Sequence, residues 1–93
     1  MENKTMKSFD DMTGKSFLIR TVTYHCVGKI SSVFADNFLR LESASWVADS
    51  GRFSEAIRTG ELNEVEFVGE MYVNMASVVD FFPWNKELPT KTK

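Results

Sequence analysis

Residues 28–44 read GKISSVFADNFLRLESA. Apolar side chains alternate with polar or small ones up to Phe34, Ala35, Asp36 and Asn37 interrupt, and a second alternation begins at Phe38. Period two marks a half-buried strand, because successive side chains leave opposite faces of the backbone. Asp and Asn tolerate turn dihedrals, so the segment is expected to form two strands joined by a tight turn at 35–37.

The flanks extend this pattern. Phe17 and Ile19 oppose Leu18 and Arg20, and Thr21, Val22, Thr23 and Tyr24 continue a β-branched, aromatic run. The strands that follow are Cys26 to Val33 and Phe38 to Val47, although TVTYHCV (21–27) holds no turn residue to separate the first strand from the second. DSGRFSEAIRTG (49–60) changes the period: Asp49 or Ser50 is placed to cap, Phe53, Ala56 and Ile57 share a face, and Gly60 terminates a short helix at 52–59. EVEFV (64–68) alternates again, Gly69 punctuates, MYVNM and SVVDFF complete the sheet, and Pro83 stops it, with Trp84 folding back onto the end. At the other end, Thr5 or Ser8 is placed to cap a short helix in MKSFDDM. Its Met6, Phe9 and Met12 recur at near-helical spacing before Gly14. Residues 1–5 and 87–93 are polar and are expected to fray.

The chain of 93 residues is read as one domain, 1–93, since two cores would not fit in independent units of this size. A chain this short buries about two-thirds of the surface it exposes when unfolded, which favours a core shared between subunits. Eight Phe, two Trp and two Tyr exceed what so small a core needs, so some rings are expected at an interface. Eleven basic against thirteen acidic residues give a formal charge of −2, without the basic footprint usual in nucleic-acid binders. The single Cys26 excludes an intramolecular disulfide and is compatible with a reducing cytoplasm. MENKTMKSFDDM lacks a signal-peptide core and no apolar run is long enough to span a bilayer as a helix, so a cytoplasmic protein away from membranes is expected.

Enzyme chemistry finds little support. His25 and Cys26 are adjacent, so on a strand they point to opposite faces and cannot act as base and nucleophile together. One His and one Cys leave no metal cluster of those residues, and there is no phosphate-cradling glycine loop. The carboxylate pairs Asp10–Asp11 and Glu64/Glu66 fall on solvated faces. No catalytic residue, metal or cofactor is expected.

The element order is a small helix, three strands, an insertion, and two more strands. It resembles the Sm-like family: all-β, a small, strongly bent antiparallel barrel, here with a short helix at the N-terminus and another inserted. Gly28, Ile30, Val33, Leu39 and Leu41 match the steps of the first Sm signature, and LESA (41–44) resembles its ending. YVNMASVVDF (72–81) has the shape of the second, with Val73, then Asn74 and Met75 in place of its Arg-Gly, then Val78, Val79 and Phe81. Gly28 is expected where a side chain would collide across the bent barrel. The chain is also similar to small Sm-like proteins of phage-like genomes.

The resemblance implies a homo-oligomeric ring, because Sm-like proteins pair their open edges between neighbours. It implies RNA or a nucleotide as ligand, with the two signature turns approaching one another. Asn37 and Asn74 would supply hydrogen bonds, Phe38 a stacking face, and Lys29 and Arg40 phosphate contacts. Gly28, Leu39, Leu41 and Val73 would be structural. Phe34 and Phe38 replace the Asp and Asn that, with the signature Arg, hold a uridine in Sm rings, and Asn37 stands one residue early. Those departures support an alternative: an assembly or adaptor module that keeps the barrel without the RNA pocket, with Phe34 and Phe38 as core or subunit-contact rings. Arg52 and Arg58 could meet phosphates from the inserted helix, but there a solvated face is the simpler expectation.

Overall fold

The computed structural model describes residues 9–34 and 37–93. The proposed caps Thr5 and Ser8, Met6, and turn residues Ala35 and Asp36 lie outside them. A 3-10 turn at Phe9–Met12 is followed by strands β1 (Ser16–Thr21), β2 (His25–Phe34) and β3 (Phe38–Asp49). Helix α1 (Phe53–Thr59), β4 (Glu64–Asn74), a second 3-10 turn (Met75–Ser77) and β5 (Val78–Pro83) complete the order. All pairings are antiparallel, and the single five-stranded sheet runs β4-β3-β2-β1-β5, which leaves β4 and β5 as its edges.

The sheet bends along a line of small residues. Gly28 on β2 lies against Ala44 on β3, and Ala44 pairs with Gly69 on β4. The ladders slip register at this line: between Val27 and Lys29 on β2, and between Leu41, Ala44 and Ser45 on β3. Ser43 takes a positive φ of 52° and Gly69 one of 93°, so each strand carries an extra residue where it turns the corner. Gly69 therefore does not separate two strands, as the sequence suggested. It kinks one continuous strand.

Bending gives the sheet two buried faces. Phe17, Ile19, Cys26, Ile30, Leu39, Leu41, Ala44 and Val73 form the inner core, closed at one end by Met12. Leu18, Val27, Val47 and Val65 form a second core on the opposite face with Ala56 of α1, Leu62 and Trp84. This explains the unbroken apolar run Phe17-Leu18-Ile19: β1 is covered on both sides. The inserted helix is thus a lid on the outer face. It begins without a side-chain cap, since Asp49 accepts the Gly51 N–H (2.8 Å) and shapes the preceding turn, and it ends at Gly60 in the left-handed region.

Two local expectations are corrected. The first strand stops at Thr21, and the turn to β2 is made by a hydroxyl: Thr21 Oγ1 donates to Tyr24 O (2.9 Å) and accepts from the N–H groups of Tyr24 (3.1 Å) and Thr23 (3.3 Å). Nor does the 87–93 segment fray. Leu88 packs on the outer core, Val65 and Lys93 exchange two backbone hydrogen bonds (both 2.9 Å), and the Phe67 N–H donates to Thr92 Oγ1 (3.0 Å). Trp84 folds back, but into the outer core instead of onto the barrel end: it is buried, its backbone N–H donates to Ser16 O, and its indole N–H donates to Glu87 O.

Candidate nucleic-acid interface

The 3-10 turn after β4 exists because Asn74 Oδ1 accepts the Ala76 N–H (2.9 Å) while Ser77 Oγ donates to Asn74 O (2.7 Å). That geometry carries Met75 to the turn between β2 and β3, where the Met75 N–H donates to Asn37 O (2.8 Å). Phe38 stands opposite Asn74 in the β3–β4 ladder, and opposite Phe34 in the β2–β3 ladder. The two turns therefore meet, with Asn37 and Asn74 exposed and Phe38 half-buried beside them. The side-chain carbonyl of Asn74 is committed to shaping its own turn, which leaves its amide NH2.

Arg40 and Lys29 lie on the outer face, and their charges are answered within the chain. Arg40 Nε donates to Glu70 Oε2 (2.7 Å) and Nη1 to Ser31 Oγ (2.6 Å), while Nη2 forms an ion pair with Glu70. Hydrogen bonding with Tyr72 and then Glu70 raises the guanidinium pKa further. Glu42 stands 3.9 Å from both Arg40 and Lys29, so the pair of cations faces a pair of carboxylates. Of the residues named from sequence, Asn37, Phe38 and Asn74 are brought together. Arg40 and Lys29 share a face and a carboxylate neighbour with each other. Leu39, Leu41 and Val73 are buried at 2, 0 and 0% exposure.

Tyr72 and Glu70 were not singled out from sequence. Pairing of Tyr72 with Arg40 across the ladder, together with the short separation of Glu70 from both, makes one polar cluster of them. Alternation of EMYVN would have placed Glu70 and Tyr72 on one face; only the register reveals that Arg40 lies across from them.

Cys26 and His25 part as expected of strand neighbours. Cys26 is fully buried and its thiol is pushed up to about 12 by loss of solvation, so it is a poor nucleophile near neutral pH. Among the described residues no group of His, Cys, Asp and Glu is arranged to hold a metal ion, and no helix is long and apolar enough to cross a membrane.

The bent five-stranded sheet, the order β4-β3-β2-β1-β5 and the meeting of the two turns define an Sm-like small β-barrel. Among solved structures the chain is similar to a heptameric archaeal Sm protein, whose description relates it to the eukaryotic snRNP core. The TM-score is 0.58 at 23% identity, over 80% of this chain and 91% of that one. No family model matches the chain, and a search of curated proteins returns no match.

Proposed function

We propose that the chain is a ring-forming module that binds single-stranded RNA at the junction of its two turns. The observation that carries this reading is the contact between Met75 and Asn37, with Phe38 facing Asn74, on an Sm-like barrel. The similar archaeal Sm protein is heptameric. The sheet ends at β4, whose outer side the 87–93 tail meets only at Val65 and Phe67 among the described residues, and at β5, and both strands expose apolar side chains: Val68 and Tyr72 on β4, Val79 on β5. Pairing β4 with β5 of the next copy would satisfy the edges and cover those side chains. In such a ring the joined turns repeat once per subunit, Asn37 and Asn74 offer amides to base edges, and Phe38 offers a ring on which a base can stack.

The adaptor reading is favoured by a separate observation. Glu70 and Glu42 already neutralise Arg40 and Lys29, so phosphate would have to compete with carboxylates held in place. RNA binding therefore depends on stacking and base contacts more than on charge, and its affinity should fall only gently with salt.

Titration of labelled uridine-rich and adenine-rich oligonucleotides, with mass followed by light scattering, separates the two readings. RNA binding is expected, and Phe38→Ala should weaken it about tenfold or more while the ring persists. An intact ring that binds neither oligonucleotide at low salt would establish the adaptor reading instead. A monomer at micromolar concentration would refute both.

A further inference from the structure

The segment after β5 does something the barrel itself does not require. From Trp84, anchored under the outer core, the chain passes α1, where Gly60 lies so close to Lys86 that a Cβ there would stand 2.6 Å from its stem. Leu88 then packs against the outer core. Residues 92 and 93 reach the free side of β4: Lys93 gives and takes a backbone hydrogen bond with Val65, and Thr92 Oγ1 accepts the Phe67 N–H. Lys93 Nζ also lies 3.7 Å from Glu61. Reciprocal bonding between one pair of residues is the unit of an antiparallel ladder. Residues 92 and 93 therefore begin to pair with the outer side of β4, and they are covalently continuous with β5, the strand at the far edge of the same five-stranded sheet.

We propose that residues 88–93 are a tail supplied in cis that limits assembly, by holding the 65–67 part of the β4 edge against a second copy of this chain. This rests on the ring reading above. The backbone groups of Val65 and Phe67 engaged by the tail are groups that a neighbour's β5 would need in order to pair along the whole of β4. With the tail seated, a neighbour has only the stretch beyond the Gly69 kink, Glu70 to Asn74, which carries Tyr72 and leads into the Asn74 turn. Intersubunit pairing is thus directed to the end of β4 nearest the proposed RNA site. Release of the tail would lengthen the available edge and strengthen, or alter the geometry of, the association.

The test compares the intact chain with a version ending at Glu87 and with Lys93→Pro, measuring mass against concentration by light scattering. Proline removes the N–H that Lys93 gives to Val65 and leaves the Leu88 packing in place, so it serves if the truncated chain does not fold, which circular dichroism would show. Loss of the tail's bonds should lower the concentration at half-assembly by about tenfold or produce a species of different mass. An intact oligomer whose variants keep its mass and half-assembly concentration, or need more protein to assemble, would overturn it and leave the ring reading standing. Monomers throughout would overturn both.

Discussion

A Cβ added to Gly28 would lie 3.1 Å from Ala44 Cβ, 3.2 Å from Ala44 Cα and 3.4 Å from Leu41 Cβ. Those neighbours are fully buried and belong to the inner core, so they have little room to give way. The φ of Gly28 is not in the left-handed region, so its role is close approach rather than an unusual dihedral. Gly28→Val should destabilise the fold by about 1–3 kcal/mol through overpacking, read as a lower denaturant midpoint with the slope unchanged. A midpoint equal to that of the parent would mean that β2 and β3 can separate at the bend without penalty. Thr21 shows the opposite kind of control, in which a polar atom rather than an absent side chain shapes the chain. Its hydroxyl serves two N–H groups and one carbonyl within three residues, and so turns the chain where no Gly or Asn is present.

Helix α1 has two turns at most and would not persist alone. Its first residue fixes it. Phe53 packs edge-on against Phe82 of β5 at 5.0 Å, and the Arg20 guanidinium of β1 lies 5.3 Å from the Phe53 ring and 5.5 Å from the Phe82 ring. Asp80 on β5 completes the clamp, its Oδ1 accepting from Arg20 Nε (2.6 Å). This hydrogen bond, and the positive charge behind it, hold the Asp80 carboxyl below its ordinary value against a smaller opposing effect of burial. A carboxyl depressed on folding stabilises the native state above its unfolded pKa of about 3.9, and that contribution disappears as pH falls through the lower folded value. Asp80→Asn should therefore lower stability at neutral pH, with the difference from the parent closing in acid. Denaturation midpoints across that range would show it. A difference that stays constant with pH would point to lost packing in place of lost charge.

The two cores share β1, β2, β3 and β4 as a common wall, so neither face can open without exposing the other. Cys26 reports on that coupling. It sits in the inner core at 0% exposure with its thiol pushed up to about 12, so it reacts only from an opened state. With ordinary domain stability, labelling by a thiol reagent at mildly alkaline pH should be slower than in denaturant by at least about a thousandfold, and should track global unfolding. Rapid labelling of the folded chain would show that the inner core opens independently of the outer one. Among the described residues the chain's own tail meets the outer side of β4 at Val65 and Phe67, while Val68, Tyr72 and Val79 of the two edge strands stay exposed.

Alternation and turn residues were enough to place β1, β2, β3, β5 and the inserted helix, because these are local consequences of side-chain size and backbone freedom, whereas β4 read as two strands and the bent barrel followed from the resemblance to Sm-like proteins. The turn at 35–37 was legible from its Asp and Asn, whereas the turn at 74–75 and the approach of the two turns were implied by the resemblance to the Sm signatures. Three features were decided only in three dimensions. The kink at Gly69 reads in sequence as a break, and becomes a continuous strand only when Ala44 and Ser43 are seen to bend beside it. Arg40 and Lys29 read as available cations, and acquire partners only through the register that sets Glu70 and Glu42 beside them. The 87–93 segment reads in sequence as a polar, loose end. It is ordered by backbone hydrogen bonds to an edge strand, and such bonds depend on where a free edge lies, to which side-chain composition gives no clue.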